Sequence, residues 1–147
     1  MKELTPVQNI LFATGALMMV IGAGGMIFGS AGCLMLIMPE VASILFAIGA
    51  VMFAGIQLQQ TYQGSNFVIR RLRRIMVIGD ICFILAAVFM LENTFHVIYG
   101  IMATSIDGYN AYIHYIYNNW VVFLLIAAIL EIYTTHRISY EIKKEMD

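Results

Sequence analysis

The sequence predicts an all-α integral membrane protein, a four-helix bundle with up-down-up-down topology and cytoplasmic N- and C-termini. The chain is 61% hydrophobic and only 12% charged, whereas soluble domains carry roughly a quarter charged residues. Its eight Lys and Arg residues fall at three sites: position 2, segment 70–74 and segment 137–144. Between them, the segments 3–69 and 75–136 contain no Lys or Arg. Each is long enough to cross a bilayer twice and return.

The basic residues also predict the orientation. Short loops rich in Lys and Arg stay on the cytoplasmic side of a membrane, so the three basic sites and both termini should lie inside. We expect a multi-pass protein of the bacterial inner (cytoplasmic) membrane. The 147 residues leave room for a single transmembrane domain.

The first two spans follow from the apolar runs, because a helix needs about 20 apolar residues to cross the hydrocarbon core. The first is predicted over 8–28 and the second over 40–60. Pro6 and Pro39 precede them, and proline is favoured in the first turn of a helix. Lys2 followed by an apolar run then indicates a signal anchor, since a second span follows.

The turn between these spans contains a weak lipidation signal. Gly29 to Cys33 has the small residues of a bacterial lipobox, but Ser30 stands where Leu is usual and apolar residues follow Cys33. We expect an unmodified apolar turn at the outer interface, with lipidation of Cys33 as the alternative.

The second pair of spans is predicted over 72–92 and 119–137, and a cytoplasmic tail over 138–147. The basic stretch ahead of the third span should meet anionic lipid headgroups on the inner face. The largest external segment, 93–119, is rich in tyrosine. Tyrosine favours the headgroup zone, so this segment is predicted to form an interfacial belt or a short surface helix.

Small residues on every span predict close helix packing, which associates helices in lipid. The first span carries Gly15, Gly22, Gly25 and Gly29 on one helix face, and the other spans carry similar stripes. Gly25 and Gly29 also match a GxxxG dimerisation motif. Packing within the bundle is the favoured interpretation, and a homo-oligomer is the alternative.

Two carboxylates inside spans, Asp80 and Glu131, are the main chemical candidates, because ionisable residues in membrane spans are often functional. Each lies six residues from an arginine, Arg74 or Arg137, so both are predicted at matched depth, roughly 9 Å from the inner face. Gln57 is predicted at a similar level.

Two interpretations of this polar group stay open. The carboxylates pair with arginines and fix helix register, or they form an ion, proton or substrate site, for which Glu131 is the better candidate. Asp80 is expected to point away from the small-residue stripe of its own helix. The candidate charge partners, which would also contact lipid headgroups, are Arg70, Arg71, Arg73, Arg74 and Arg137.

Other chemistry has little support in the sequence. His96 and His114 share the external segment, but two ligands without a third do not make a metal site. There is no CxxC, glycine-rich phosphate loop, serine nucleophile elbow or HExxH. We therefore predict no enzyme activity, no cofactor, no metal and no nucleic-acid partner.

Segments 66–74 and 119–138 resemble those of small four-helix inner-membrane proteins of Bacteroidetes-type bacteria, a group with no assigned function. The resemblance implies a fold and a location but no activity. The sequence does not resemble the small multidrug exporters, whose first helix holds a glutamate, since the first span here has no carboxylate.

The functional expectation is a structural or accessory protein that packs with itself or with another membrane protein. The alternative is a small cation- or proton-coupled transporter or channel that uses Glu131 and Asp80. A polar path to unpaired carboxylates would favour the transporter, whereas carboxylates bonded to arginine would favour the accessory protein.

Overall fold

The structure is a computed structural model that describes residues 5–30, 38–60, 62 and 64–146, without the side chains of Ser30, Glu145 and Met146. Lys2 and the candidate lipidation site Cys33 lie outside the described residues.

The described chain is helical and contains no strand. Four of its helical segments are long and apolar enough to cross a membrane, which confirms the all-helical class, the four apolar helices and a multi-pass membrane protein. In chain order the helices are α1 Pro6–Ser30, α2 Pro39–Gln59, α3 Phe67–Phe95, α4 Tyr99–Met102, α5 Ile106–Tyr115 and α6 Trp120–Met146.

Helix α3 is longer than the predicted span, because the basic stretch is part of the same helix. It begins at Phe67, where the side chain of Asn66 accepts a hydrogen bond from the Val68 N–H at 2.9 Å. This cap satisfies a backbone donor that the first turn would otherwise leave free. The 29 residues span about 43 Å at 1.5 Å per residue. The arginines and Asp80 therefore lie on one continuous helix, and their relative positions around it are fixed.

Helix α6 is likewise continuous and takes the predicted tail into the same helix as the span. Its 27 residues reach about 40 Å. Arg137 and Glu141, one turn apart, form a salt bridge at 3.1 Å. The Arg137 side chain is 48% exposed and that of Glu141 is 11% exposed, and helix pairs of this spacing contribute about 0.3–0.5 kcal/mol.

Glycines bring α1 and α2 into contact through their backbones. A Cβ on Gly22 would lie 2.7 Å from the carbonyl oxygen of Ala42 and from the amide nitrogen of Phe46. A Cβ on Gly49 would lie 2.7 Å from the carbonyl oxygen of Gly15. The small-residue stripe of the first span therefore packs inside the bundle at Gly15 and Gly22.

The extensive helix contacts run in chain order, from α1 to α2, α2 to α3 and α3 to α6. Among the described residues, α6 makes no comparably extensive contact with α1. Helix α3 is therefore packed on two sides, whereas the seam between α1 and α6 is open.

Candidate functional site

The centre of the site is a hydrogen bond between α2 and α6. The side-chain amide of Gln57 donates to Glu131 Oε2 at 2.8 Å. Gln57 is 2% exposed and Glu131 is 9% exposed. The second oxygen of Glu131, Oε1, is buried and has no hydrogen-bond partner among the described residues. Gln57 and Glu131, which the sequence places at a similar depth, are thus in contact. Only one of the two carboxylate oxygens of Glu131 has a hydrogen-bond donor among the described residues.

Asp80 is more deeply buried than the sequence suggested. Its side chain is 1% exposed, and neither carboxylate oxygen has a hydrogen-bond partner among the described residues. Its burial does not contradict the expectation that it points away from the small-residue stripe of α3. Because α3 is packed against both α2 and α6, Gly79 and Asp80 can both be buried although they are about 100° apart around the helix.

Arg73, one of the candidate charge partners, makes its hydrogen bonds with other groups than Asp80. Its guanidinium donates to the backbone carbonyls of Gln57, at 3.0 Å, and Gln60. Another of its nitrogens lies 3.5 Å from the sulfur of Met76. The last carbonyls of a helix lack partners within the helix, so Arg73 acts as a cap for the end of α2. The expected Asp80–arginine ion pair is not formed among the described residues.

The charges of this site do not balance when all its groups are ionised. Asp80 interacts electrostatically with both Glu131 and Arg73, so two carboxylates share the field of one guanidinium. An unpaired charge buried in a membrane span is costly. One further positive charge, a proton or another cation, would neutralise the group.

A large cavity opens on the Glu131 side of this group. Its volume is about 1110 Å³, slightly above the usual range of roughly 300–1,000 Å³ for ligand pockets. Glu131 and Gln57 line it, whereas Asp80 does not. Most of the other lining side chains are apolar, and all four long helices contribute: Phe12, Phe53, Gln60, Met76, Ile132, Thr135, His136, Ile138, Ser139, Ile142 and Lys143.

Gly79 gives Glu131 the space that it occupies. A Cβ at Gly79 would lie 3.1 Å from Glu131 Oε1 and 3.5 Å from the Cβ of Leu130. The absent side chain on α3 therefore lets the carboxylate of α6 sit against the α3 backbone. The small-residue stripe of the third span thus has a role at the site as well as in packing.

The remaining predicted charge partners lie apart from the carboxylates. Arg70, Arg71 and Arg74 are exposed and, with Phe67, line a separate groove of about 400 Å³. Arg137 bonds Glu141 instead of Glu131. Contact of these arginines with anionic lipid headgroups stays a prediction.

Sequence reasoning missed the importance of Glu92, near the C-terminal end of α3. Glu92 is 6% exposed, and its carboxylate accepts hydrogen bonds from the N–H groups of Ile98, at 2.9 Å, and Tyr99, at 3.0 Å. The hydroxyl of Tyr112 donates to it at 3.2 Å. A signal was present, because an acidic residue near a helix C-terminus is disfavoured by the helix dipole and needs another stabilising interaction.

The histidines of segment 93–119 do not meet each other. His96 Nδ1 lies 3.4 Å from the Tyr112 hydroxyl, and the His114 ring packs edge-on against Tyr115. The described part of the chain contains no group of three or more His, Cys, Asp or Glu side chains placed to hold a metal ion. No family model, curated protein or solved structure matches the chain.

Proposed function

We propose that this protein is a small inner-membrane transporter that exchanges protons for organic cations carrying apolar groups. One observation carries the proposal: Glu131 is buried, has no basic partner among the described residues, and lines a large, mainly apolar cavity. In this proposal both termini are cytoplasmic and the cavity opens toward the cytoplasm. The protein is expected to reside in a bacterial inner membrane.

The charge of the site supports a cation as the ligand. With Asp80, Glu131 and Arg73 all ionised, the group carries one excess negative charge. A proton removes that charge in the resting protein, and a cation that approaches Glu131 removes it in the loaded protein. Because both species neutralise the same group, binding of one favours release of the other.

The lining supports apolar groups on that cation. Phe12 and Phe53 stack with ring centroids 4.4 Å apart, and both line the cavity. Aromatic faces attract organic cations as well as apolar groups. A strongly hydrated inorganic ion would lose much of its water among the apolar side chains of this cavity, where Glu131 is the one carboxylate among the described lining residues.

Each residue then has a distinct role. Glu131 binds either the proton or the cation, and Gln57 orients it through the hydrogen bond to Oε2. Asp80, behind the cavity wall, keeps the local charge negative so that one positive charge is always required. Arg73 limits the excess to a single charge while it caps α2.

The accessory function is the alternative, and the open seam between α1 and α6 is the observation that favours it. A helix of another membrane protein or of a second copy would cover the cavity there. In that case Glu131 would bind a partner instead of a transported cation, and no flux would depend on it.

The test uses proteoliposomes that contain a pH-sensitive dye and are exposed to a gradient of benzyltrimethylammonium, a permanent cation with an aromatic group. In the wild-type protein, entry of the cation should be coupled to exit of protons and should raise the internal pH. Glu131→Gln should abolish this rise. Glu40→Gln is the control, because Glu40 is an exposed residue in the first turn of α2.

Two results would reject the transport proposal. One is a wild-type protein, correctly folded and inserted, that gives the same internal pH as protein-free liposomes. The other is a pH change that Glu131→Gln leaves intact. Either result would favour the accessory function.

A further inference from the structure

The outer aromatic pocket is a second cavity, separate from the one at Glu131. It has a volume of about 510 Å³ and follows the C-terminal end of α3. The side chains that line it come from the segment between α3 and α6: His96, Tyr99, Tyr109, Tyr112, Ile113 and Tyr117. Five of these six side chains are aromatic rings.

The rings of the outer aromatic pocket meet edge to face. The Tyr99 ring lies 5.2 Å from that of Tyr112 and 6.3 Å from that of Tyr109, at angles of 72° and 74°. Its angle to the His96 ring is 62°. In an edge-to-face pair the edge of one ring packs against the face of the other, so these rings lie in different planes and part of their faces stays open to the pocket.

Two carboxylates, Glu92 and Asp107, lie close in sequence to residues that line the pocket. The buried Glu92 carboxylate accepts the hydrogen bond of the Tyr112 hydroxyl, which increases the electron density of that ring. Asp107 lies in the first turn of α5. The chain has no Lys or Arg between positions 75 and 136, so no permanent positive charge in this segment opposes these carboxylates.

Aromatic walls without a free basic group are suited to one ligand chemistry. The face of an aromatic ring attracts a cation, and several rings together recognise a quaternary ammonium group, which cannot donate hydrogen bonds. The exposed tyrosines Tyr99 and Tyr109 leave the pocket accessible from outside the protein.

We propose that the outer aromatic pocket binds a quaternary ammonium group, with Tyr99 and Tyr109 as its exposed aromatic walls, the buried Tyr112 ring packed against Tyr99, and Glu92 as the fixed charge behind them. Two sources share this chemistry: a free trimethylammonium compound and the headgroup of a choline lipid. The proposal does not depend on transport, because none of these residues lines the Glu131 cavity.

The test compares choline with 3,3-dimethylbutan-1-ol, which has the same shape without the charge. Binding to the full-length protein in detergent is measured by calorimetry, and the tyrosine ring signals are followed by NMR. Choline should bind and shift the signals of Tyr99 and Tyr109, whereas the neutral alcohol should bind at least about tenfold more weakly, which is 1.4 kcal/mol.

Substitutions at the exposed rings separate this site from non-specific contact. Tyr109→Leu should weaken choline binding about tenfold, whereas Tyr109→Phe, which keeps the ring face, should retain most of it. Tyr115→Leu is the matched control, since Tyr115 is exposed on the same helix but does not line the pocket. Tyr99→Leu provides a second test if Tyr109→Leu does not fold.

The source of the ammonium group is determined in nanodiscs. If a choline lipid is the ligand, choline binding should be weaker in phosphatidylcholine than in phosphatidylglycerol nanodiscs, because the headgroup competes. If a free compound is the ligand, the two affinities should agree. Equal binding of choline and its neutral analogue, or equal losses in Tyr109→Leu and Tyr115→Leu, would overturn the proposal.

Discussion

Carboxylate groups are buried at both ends of the bundle, but only at one end do they have a full set of hydrogen-bond donors. At one end Glu92 accepts hydrogen bonds from two backbone N–H groups and from the Tyr112 hydroxyl. At the other end both oxygens of Asp80 and one oxygen of Glu131 have no hydrogen-bond partner among the described residues.

This difference separates a carboxylate whose burial the fold compensates from two whose burial it leaves largely uncompensated. Glu92 ties the turn that follows α3 to the end of that helix, and its surrounding donors offset the cost of burial. Asp80 has no such compensation and Glu131 has only the hydrogen bond from Gln57 to one oxygen, although Arg73 is close enough to interact with both of them. Burial without compensation reduces stability, so the burial of these two carboxylates supports the proposal that they bind a positive charge.

The largest expected effect is the loss of stability when Glu92 is removed. Glu92→Ala leaves the N–H groups of Ile98 and Tyr99 and the Tyr112 hydroxyl without their acceptor, and should cost about 3 kcal/mol or more. Reversible unfolding in mixed detergent micelles measures this free energy. Glu40→Ala is the control and should change it by less than about 0.5 kcal/mol. If Glu92→Ala were as harmless as the control, the contrast between the two ends would fail.

A smaller loss is expected when Arg73 is shortened. Arg73→Met removes the donors to the carbonyls of Gln57 and Gln60 and should lower the free energy of unfolding by about 1–2 kcal/mol. The double variant with Asp80→Asn tests whether these two residues form an ion pair. For a cap, the coupling between the two substitutions should stay below about 1 kcal/mol, whereas breaking a buried ion pair costs about 3–5 kcal/mol.

Asp80→Asn, unlike the two preceding substitutions, should not lower the free energy of unfolding. It removes a buried charge that no donor satisfies, so the free energy of unfolding should stay constant or rise by up to about 2 kcal/mol. The same variant should lose proton-coupled cation exchange in the proteoliposome assay. A loss of stability above about 1 kcal/mol would instead show that Asp80, like Glu92, stabilises the fold.

The smallest effect on stability is expected at Gly79. A Cβ there forces Glu131 Oε1 to move by a few tenths of an ångström from a distance of 3.1 Å. Gly79→Ala should change stability by less than about 1 kcal/mol, near the helix-propensity difference itself, but should reduce exchange. Gly24→Ala is the matched control, because a Cβ at Gly24 meets no atom within 4 Å. Equal exchange by the two variants would show that the position of Glu131 does not matter.

The sequence predicts the helices better than it predicts their side-chain partners. Apolar runs and the spacing of basic residues suffice for the four long helices, because length and hydropathy determine which segments can span a bilayer. The proximity of Gln57 and Glu131 also follows from matched depth. Depth alone, however, does not specify the rotation of each helix or the hydrogen bonds of a given side chain.

Two residues show where this limit lies. Arg73 lies seven residues before Asp80, about two turns away on the same face of α3. It nevertheless donates to the end of α2, a tertiary contact that has no local signal. Glu92 looks like a helix-end charge until α4 and α5 bring the Ile98 and Tyr99 amides and the Tyr112 hydroxyl to it. In both cases the partner comes from a neighbouring element whose position depends on packing.

Proton release on cation binding is the most direct test of the central claim, that the Glu131 group requires one added positive charge. Benzyltrimethylammonium is added to the purified protein in weakly buffered detergent solution, and bound cation and released protons are both measured. The wild-type protein should release on the order of one proton for each cation bound, and Glu131→Gln should release none. Cation binding without proton release, or equal release by wild type and Glu131→Gln, would contradict the claim.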